Sequence, residues 1–158
     1  MKTRSFLQGL GYPVEKPNMG TEALYGMVWI AERAQAEAAA ALRPFGLTPG
    51  TLNYLMVVKH IGGKEGLLQR EITERMLIKK ENVTRTLKSL EAKGWIERRP
   101  GADRRSRQIT VTSKGDQLLD KVWPVYDAAV RKLTRHLPEA HQRQMVGILS
   151  QWKKALER

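Results

Sequence analysis

Residues 69–115 read QREITERMLIKKENVTRTLKSLEAKGWIERRPGADRRSRQITVTSKG. Apolar residues first recur at helical spacing, which predicts a short helix over Gln69 to Met76 and a longer one over Lys79 to Lys93. Two β-like runs follow, Trp95 to Arg99 and Gln108 to Thr112, joined by a polar loop. This order of helix, tight turn, longer helix and hairpin predicts a winged helix-turn-helix.

The longer helix is predicted to direct a polar face away from the core. Val83, Leu87 and Leu90 recur at i, i+4 and i+7 and would anchor the helix inward. Asn and Arg can make two hydrogen bonds to a base edge, Thr can meet a thymine methyl group, and Lys attracts phosphate. The residues expected to contact DNA from this helix are Lys79, Lys80, Asn82, Thr84, Arg85 and Lys88. Such a face alone is more typical of a solvated surface helix.

The hairpin carries an unusual number of arginines. They are Arg98, Arg99, Arg104, Arg105 and Arg107, with Glu97 and Asp103 as acidic neighbours. A projecting arginine suits a narrow minor groove, and a nearby carboxylate can hold its guanidinium extended. The hairpin residues expected at DNA are Asp103, Arg104, Arg105 and Arg107. From Gln69 to Lys114 there are 13 basic and 6 acidic residues, a local net charge of +7 that suits a polyanion.

Composition limits the remaining classes of function. The chain has 158 residues, 41% of them hydrophobic, which suits one folded body. It has neither an apolar signal core at its start nor a run of roughly 18 apolar residues, so we expect a cytoplasmic protein without a membrane partner.

Cysteine is absent, which excludes disulfides and thiol redox sensing. With only His60, His136 and His141 as histidines, we expect neither a metal nor a cofactor. The sequence has no phosphate loop or nucleophile elbow, so no enzyme is expected.

The fold class predicted for the whole chain is mainly α with a small antiparallel β-hairpin. An irregular N-terminal arm, rich in Gly and Pro, spans residues 1–20, and a dimerisation helix follows over 21–45. The winged helix-turn-helix spans 46–112, and C-terminal dimerisation helices span 113–158.

Local signals mark the helix starts within this division. Thr21 is expected to cap the first long helix, with Glu22 in its first turn. Thr48 and Pro49 start the next one, which is expected to reach about Ile61. Thr112 or Ser113 caps the helix after the hairpin, Pro124 predicts a kink inside it, and Pro138 separates it from the last helix.

Seven short stretches between Gly46 and Gly115 resemble the MarR family of winged-helix regulators in order and spacing. They are Gly46-Leu47-Thr48, Glu71-Ile72-Thr73-Glu74-Arg75, Asn82-Val83-Thr84-Arg85, Leu90-Glu91-Ala92-Lys93-Gly94, Glu97-Arg98-Arg99-Pro100, Asp103-Arg104-Arg105 and Val111-Thr112-Ser113-Lys114-Gly115. The resemblance implies a homodimer on operator DNA, in which the N-terminal helix and the last two helices of both chains intertwine. It also implies that Arg105 enters the minor groove and that Asp103 positions it. Lys79 and Leu68 depart from the polar capping residues that many members have.

The resemblance further implies a small anionic aromatic effector, bound between the dimer helices and the winged domain. Candidate residues are aromatic side chains with one arginine: Tyr25, Trp29 and Arg33 on one face of the first long helix, Tyr54 on the next, and Trp123 and Tyr126 on the helix after the hairpin. The same residues also suit a dimer core and ordinary packing.

The sequence therefore predicts a homodimeric, sequence-specific DNA-binding regulator that represses transcription and is released by a small aromatic acid. The alternative is a sequence-tolerant winged helix that binds DNA or RNA or coats the chromosome. A regulator should protect a short near-palindrome, whereas a coating protein should protect any duplex.

Overall fold

The computed structural model describes residues 5–16, 18–76, 83–101 and 107–157. Within them the elements are α1 (Phe6–Gly9), α2 (Met19–Leu42), α3 (Pro49–Val57), α4 (Gln69–Arg75), α5 (Val83–Ala92), β1 (Ile96–Pro100), β2 (Arg107–Val111), α6 (Ser113–Thr134) and α7 (Glu139–Leu156). A 3-10 turn spans Arg43–Phe45 and a π-helical turn spans Val58–Gly62. The predicted fold class, mainly α with a two-stranded antiparallel hairpin, is confirmed.

The N-terminal end of α2 differs from the prediction. Asn18 is the N-cap, and its Oδ1 accepts a hydrogen bond from the Thr21 N–H at 3.1 Å, so the expected cap at Thr21 is wrong. Both are good capping types, and the chain uses the earlier one. The arm, expected to be irregular, contains the short helix α1, which packs on α2 and buries Leu7.

Glu22 fastens this arm to α2. The Ser5 hydroxyl donates to its Oε1 at 2.6 Å, and the Leu7 N–H donates to its Oε2 at 3.0 Å. These hydrogen bonds favour the charged carboxylate, and the one from Ser5 contributes most to holding the pKa of Glu22 below its usual value. Alongside, the Phe6 ring meets Trp29 edge-on, with the ring centroids 6.2 Å apart. The first turn of α2 thus orders a segment that lies 15 to 17 residues away in sequence.

The start of α3 is confirmed, but its end is not. Thr48 Oγ1 accepts from the Thr51 N–H at 3.1 Å, and Thr51 Oγ1 accepts in return from the Thr48 N–H at 2.7 Å. Pro49 occupies the first helical position, where its missing N–H costs nothing. The α-helical bonding stops at Val57, and the chain continues to Gly62 as a π-helical turn rather than as the α-helix expected up to Ile61.

A single apolar core holds the winged helix together. Its largest fully buried side chains come from α2, α3, the π-helical turn, α4, α5, both strands and α6, and they are Leu42, Leu55, Val58, Ile72, Leu87, Leu90, Ile96, Ile109 and Val122. Burying each such side chain contributes about 1.5–3 kcal/mol relative to its exposure. Because both strands and each of the helices from α2 to α6 contribute at least one of them, the core fixes the hairpin against these helices.

The hairpin is paired on both sides of β2. β1 and β2 are antiparallel, with Ile96 opposite Val111 and Arg98 opposite Ile109. On the other edge, the Leu67 N–H donates to the Ile109 carbonyl at 3.0 Å, and the Ile109 N–H donates to the Leu67 carbonyl at 2.9 Å. Gly66 permits this approach, because it has a φ of +79° and any Cβ there would lie 2.7 Å from the Ile109 oxygen.

The N-terminal end of α6 is joined to the base of the hairpin. Of the two expected caps, Thr112 is the one used: its Oγ1 accepts from the Gly115 N–H at 3.1 Å and donates to the Gly94 carbonyl at 2.6 Å. α6 then continues through Pro124 to Thr134. α7 has no buried residue within this chain. Among the described helices, none has the length and apolar run that a membrane span requires.

Candidate nucleic-acid interface

The described part of α5 separates its apolar and polar sides as predicted. Val83, Leu87 and Leu90 are buried, whereas Thr84, Arg85 and Lys88 are exposed. Hydrophobic periodicity alone therefore identified which side chains remain free for a partner. Of the other predicted contacts, Lys79, Lys80, Asn82, Asp103, Arg104 and Arg105 lie outside the described residues.

One side-chain contact joins α4 to α5, and another caps the N-terminal end of α4. The Gln69 side-chain amide donates to the Thr84 hydroxyl at 2.9 Å, which links the first turn of α4 to α5. Leu68 has no side-chain acceptor, but its own N–H donates to Glu71 Oε2 at 2.7 Å. One half of a capping box therefore remains although the polar cap of related sequences is missing.

The described arginines of the hairpin do not share one role. Arg98 is half-buried, and its Nε lies 3.2 Å from Glu91 Oε2, so it ties β1 to the C-terminal end of α5. Arg99 pairs with Glu97 within β1. Arg107 is exposed at the start of β2 and faces Pro100 across the hairpin. Arg107 thus remains the described hairpin arginine that best suits a phosphate or groove contact, while Arg98 holds the wing.

The six candidate effector residues lie on three helices. Tyr25, Trp29 and Arg33 lie on the exposed side of α2, and the Arg33 guanidinium carbon is 5.7 Å from the centroid of the Trp29 ring. Tyr54 is buried in the core, and this burial raises the pKa of its hydroxyl. Trp123 and Tyr126 lie together on α6, with their ring centroids 6.0 Å apart. The structure thus brings Arg33 to Trp29 and Trp123 to Tyr126, as the spacing within each helix predicted.

A pocket of about 420 Å³ does lie between the π-helical turn and α6. Its lining is Met56, Lys59, His60, Leu119, Asp120, Trp123 and Pro124, so Trp123 is the one predicted effector residue in it. Lys59 Nζ lies 3.1 Å from Asp116 Oδ1 and 3.8 Å from Asp120 Oδ1. Sequence reasoning missed Lys59 and considered His60 only as a metal ligand, because the π-helical turn that brings both to α6 leaves no helical pattern. Among the described residues, no cluster of three metal-ligating side chains occurs.

Known structures share this architecture. CouR from Rhodococcus jostii RHA1, solved with p-coumaroyl-CoA, superposes with a TM-score of 0.73 at 22% identity, covering 85% of this chain and 93% of CouR. The S. aureus MepR–DNA complex gives a TM-score of 0.73 at 24% identity, over 83% of this chain and 96% of MepR. At these identities the likeness concerns the fold. The chain thus has the fold of a winged-helix DNA-binding regulator.

Sequence comparison gives the family. A family model described as "MarR family" matches residues 45–106, the segment that contains the helix-turn-helix and the hairpin. The HTH-type transcriptional regulator YwoH of Bacillus subtilis is 31% identical over 93 residues, which are 59% of this chain and 63% of YwoH. The alignment thus spans less than two thirds of that relative. Residues 45–106 of the chain thus match the MarR family, and the aligned part of the chain is similar to HTH-type transcriptional regulators.

Proposed function

We propose that this chain is a sequence-specific, homodimeric DNA-binding repressor with α5 in the major groove and the hairpin at the minor groove. The observation that carries the proposal is the outer face of α5, where Thr84, Arg85 and Lys88 are exposed while Val83 and Leu87 anchor the helix. The major groove admits an α-helix, and Arg can bind guanine through two hydrogen bonds. MepR has a similar fold and has been solved with DNA, which supports this mode of binding.

The remaining contacts in the proposal come from the sequence. Lys79, Lys80 and Asn82 extend the basic, polar character of the recognition helix, and Arg104 and Arg107 add charge to the wing. Arg105 is proposed to enter the minor groove, with Asp103 holding its guanidinium. In a two-fold symmetric dimer, the two recognition helices should be about one helical turn, roughly 34 Å, apart.

The terminal helices support the dimer. α7 exposes Met145, Val146, Ile148, Leu149 and Trp152, and α2 and α6 expose further large apolar side chains. A concentration of exposed large apolar side chains on the same helices is typical of an interaction surface. Because this apolar surface lies on the helices outside the winged domain, a second copy can cover it and leave α5 free.

The DNA contact is tested by recovering bound genomic fragments with purified protein and titrating them by fluorescence anisotropy at one salt concentration. Arg85→Ala should weaken binding to the recovered site by about fivefold or more, and affect random duplex less. Arg135→Ala is the matched control: it removes the same charge from the far end of α6 and should change neither affinity. Equal losses of affinity for the recovered site and for random duplex would mean that Arg85 contacts phosphate and not a base. Equal affinity of the native protein for both would favour the sequence-tolerant coating protein.

The dimer is tested by sedimentation equilibrium. Leu149→Glu introduces a charge into the apolar side of α7 and should produce monomers at micromolar concentration. Gln151→Glu adds the same charge on the opposite side of the helix and should leave the dimer intact. A dimer that survives Leu149→Glu would exclude this side of α7 from the interface.

The pocket beside α6 supports an effector as a second element of the proposal. Lys59 offers positive charge, His60 can offer a hydrogen-bond donor, and Trp123 and Met56 offer apolar surface, which together suit an aromatic acid. CouR has been solved with an aromatic acyl-CoA, which supports a ligand of related chemistry. A carboxylate in the pocket would compete with Asp116 and Asp120 for Lys59, and Asp116 lies in the first turn of α6 beside the hairpin.

Effector binding is tested by calorimetry with benzoate, using benzamide as the uncharged control. Benzoate should bind more tightly than benzamide, because only benzoate can pair with Lys59. Lys59→Gln should remove this difference. Equal affinities for benzoate and benzamide would mean that the carboxylate of the ligand does not contribute to binding.

A further inference from the structure

The pocket beside α6 brings together more negative than positive charge. Among its described lining residues, Lys59 is the cation and Asp120 the anion. Lys59 is already paired with two carboxylates, since its Nζ lies 3.1 Å from Asp116 Oδ1 and 3.8 Å from Asp120 Oδ1. With His60 neutral at pH 7, these groups carry one positive and two negative charges.

This arrangement disfavours a ligand that is only an anion. A carboxylate that approaches Lys59 meets the carboxylates of Asp116 and Asp120 around the same ammonium group, and like charges at such distances repel. It also weakens the existing ion pair between Lys59 and Asp120. A ligand that brings an ammonium together with its carboxylate avoids both effects, because it supplies a cation for Asp120 as well as an anion for Lys59.

Asp120 is accessible to such a ligand. Its side chain is 76% exposed, and it lines the pocket together with Trp123, which follows three residues later on the same side of α6. An ammonium group near Asp120 is therefore also near an indole ring, and a cation over an aromatic face is stabilised. Met56, Leu119 and Pro124 add apolar surface for the rest of the ligand.

The distance between the two charges indicates the kind of head group. Lys59 Nζ and Asp120 Oδ1 are 3.8 Å apart, so a ligand whose own carboxylate and ammonium are close together can pair with both at once. In an α-amino acid a single carbon separates these two groups. The charges of the ligand and of the two side chains then alternate in sign around one small ring of ion pairs.

We propose that the effector of this pocket is an aromatic α-amino acid, with its carboxylate on Lys59, its ammonium on Asp120 and its ring against the apolar lining. This inference rests on the proposed effector site, and it narrows the ligand from aromatic acids in general to those with an α-ammonium group. The volume of about 420 Å³ lies within the range of small-molecule sites, roughly 300–1,000 Å³. The competing occupant is a simple aromatic acid that pairs with Lys59 alone.

The test is calorimetric titration of the full chain at pH 7 with three matched compounds. L-Phenylalanine carries both charges. 3-Phenylpropionate has the same ring and carboxylate without the ammonium, and phenethylamine has the ring and the ammonium without the carboxylate. L-Phenylalanine should bind about tenfold or more tightly than either of the other two, which is the weight of one charge-assisted hydrogen bond.

Two variants assign each charge of the ligand to its partner. Asp120→Asn keeps the size of the side chain and should abolish the preference for L-phenylalanine over 3-phenylpropionate. Because this variant should still bind 3-phenylpropionate through Lys59, a lost preference is not confused with a lost fold. Lys59→Gln should likewise abolish the preference over phenethylamine. Asp127→Asn is the matched control: it removes a carboxylate that pairs with Arg131, about two turns further along α6, and should change neither preference.

Three results would overturn the inference. If 3-phenylpropionate or phenethylamine bound the native protein as tightly as L-phenylalanine, one of the two ligand charges would be unused. A preference that survived Asp120→Asn would mean that the ammonium binds elsewhere. Either result leaves the proposed effector site intact. If neither these compounds nor benzoate bound, the effector site and this inference would be refuted together.

Discussion

Gly115→Ala should destabilise the protein, although alanine normally favours a helix. Gly115 is the third residue of α6, and a Cβ there would lie 2.2 Å from the Trp95 carbonyl oxygen and 2.8 Å from Val111 Cγ1. The oxygen belongs to the backbone and cannot rotate away. α6 or the base of the hairpin must therefore shift by about 1 Å to restore a normal contact distance.

The expected magnitude follows from opposing contributions. Alanine gains about 0.5–1 kcal/mol over glycine in a helix. Overpacking costs about 1–3 kcal/mol. The shift also strains two hydrogen bonds of Thr112, one from its N–H to the Trp95 carbonyl at 3.0 Å and one from its hydroxyl to the Gly94 carbonyl at 2.6 Å. At about 1 kcal/mol for each bond, the net loss is about 3 kcal/mol. The melting temperature should fall by about 6–12 °C in a domain of this size.

Thermal unfolding followed by circular dichroism at equal protein concentration measures the effect. Gly50→Ala is the matched control, since Gly50 lies in the first turn of α3 and a Cβ there would meet only the Thr48 hydroxyl oxygen at 3.8 Å. That variant should be as stable as the native protein or slightly more stable. If the melting temperature of Gly115→Ala equalled that of Gly50→Ala, α6 and the hairpin base would not be in close contact, and the reasoning would be refuted.

Three further changes test other parts of the fold. Leu55→Ala removes a fully buried side chain and should cost about 2–5 kcal/mol in a urea titration; a loss below 1 kcal/mol would be incompatible with a closed core. Glu91→Gln should loosen the wing by weakening the ion pair with Arg98, seen as faster hydrogen exchange in β1 but not in α3. Because the folded pKa of Glu22 is lowered, its stabilisation of the arm is full above about pH 4.5 and is lost as the pH falls through the folded pKa. The NMR shift of the Leu7 amide should follow this titration, and Glu22→Gln should abolish it.

Local sequence signals predicted most of the winged helix. Thr48 and Pro49 start α3 as expected, and the spacing of Val83, Leu87 and Leu90 identified the inner side of α5. Each of these signals acts within about one to two helical turns, so it can be read without knowing the rest of the fold. The alternation of the hairpin strands is equally local.

The features that escaped prediction depend on distant partners. Glu22 has the position of an ordinary first-turn acid, and nothing near it indicates that it holds Ser5 and Leu7. Lys59 joins the pocket because a π-helical turn directs it to α6, about 60 residues further along the chain. Tyr54 has an aromatic ring that suits a ligand site, but its position on α3 buries it in the core. Residue type identified these side chains as notable without indicating their neighbours.

Because Gly115 packs closely on the base of the hairpin, we expect α6 and the hairpin to move together as one rigid unit. The pocket lies against Leu119 and Trp123, about 6–12 Å along the helix from that contact, so whatever tilts α6 there also tilts the wing. A rotation of about 5° would carry the outer end of a hairpin with strands about 17 Å long through roughly 1.5 Å. Hydrogen bonds to a base tolerate only a few tenths of an ångström. If the chain is the ligand-controlled regulator proposed above, a movement smaller than one bond length at the pocket would be enough to shift the wing relative to DNA.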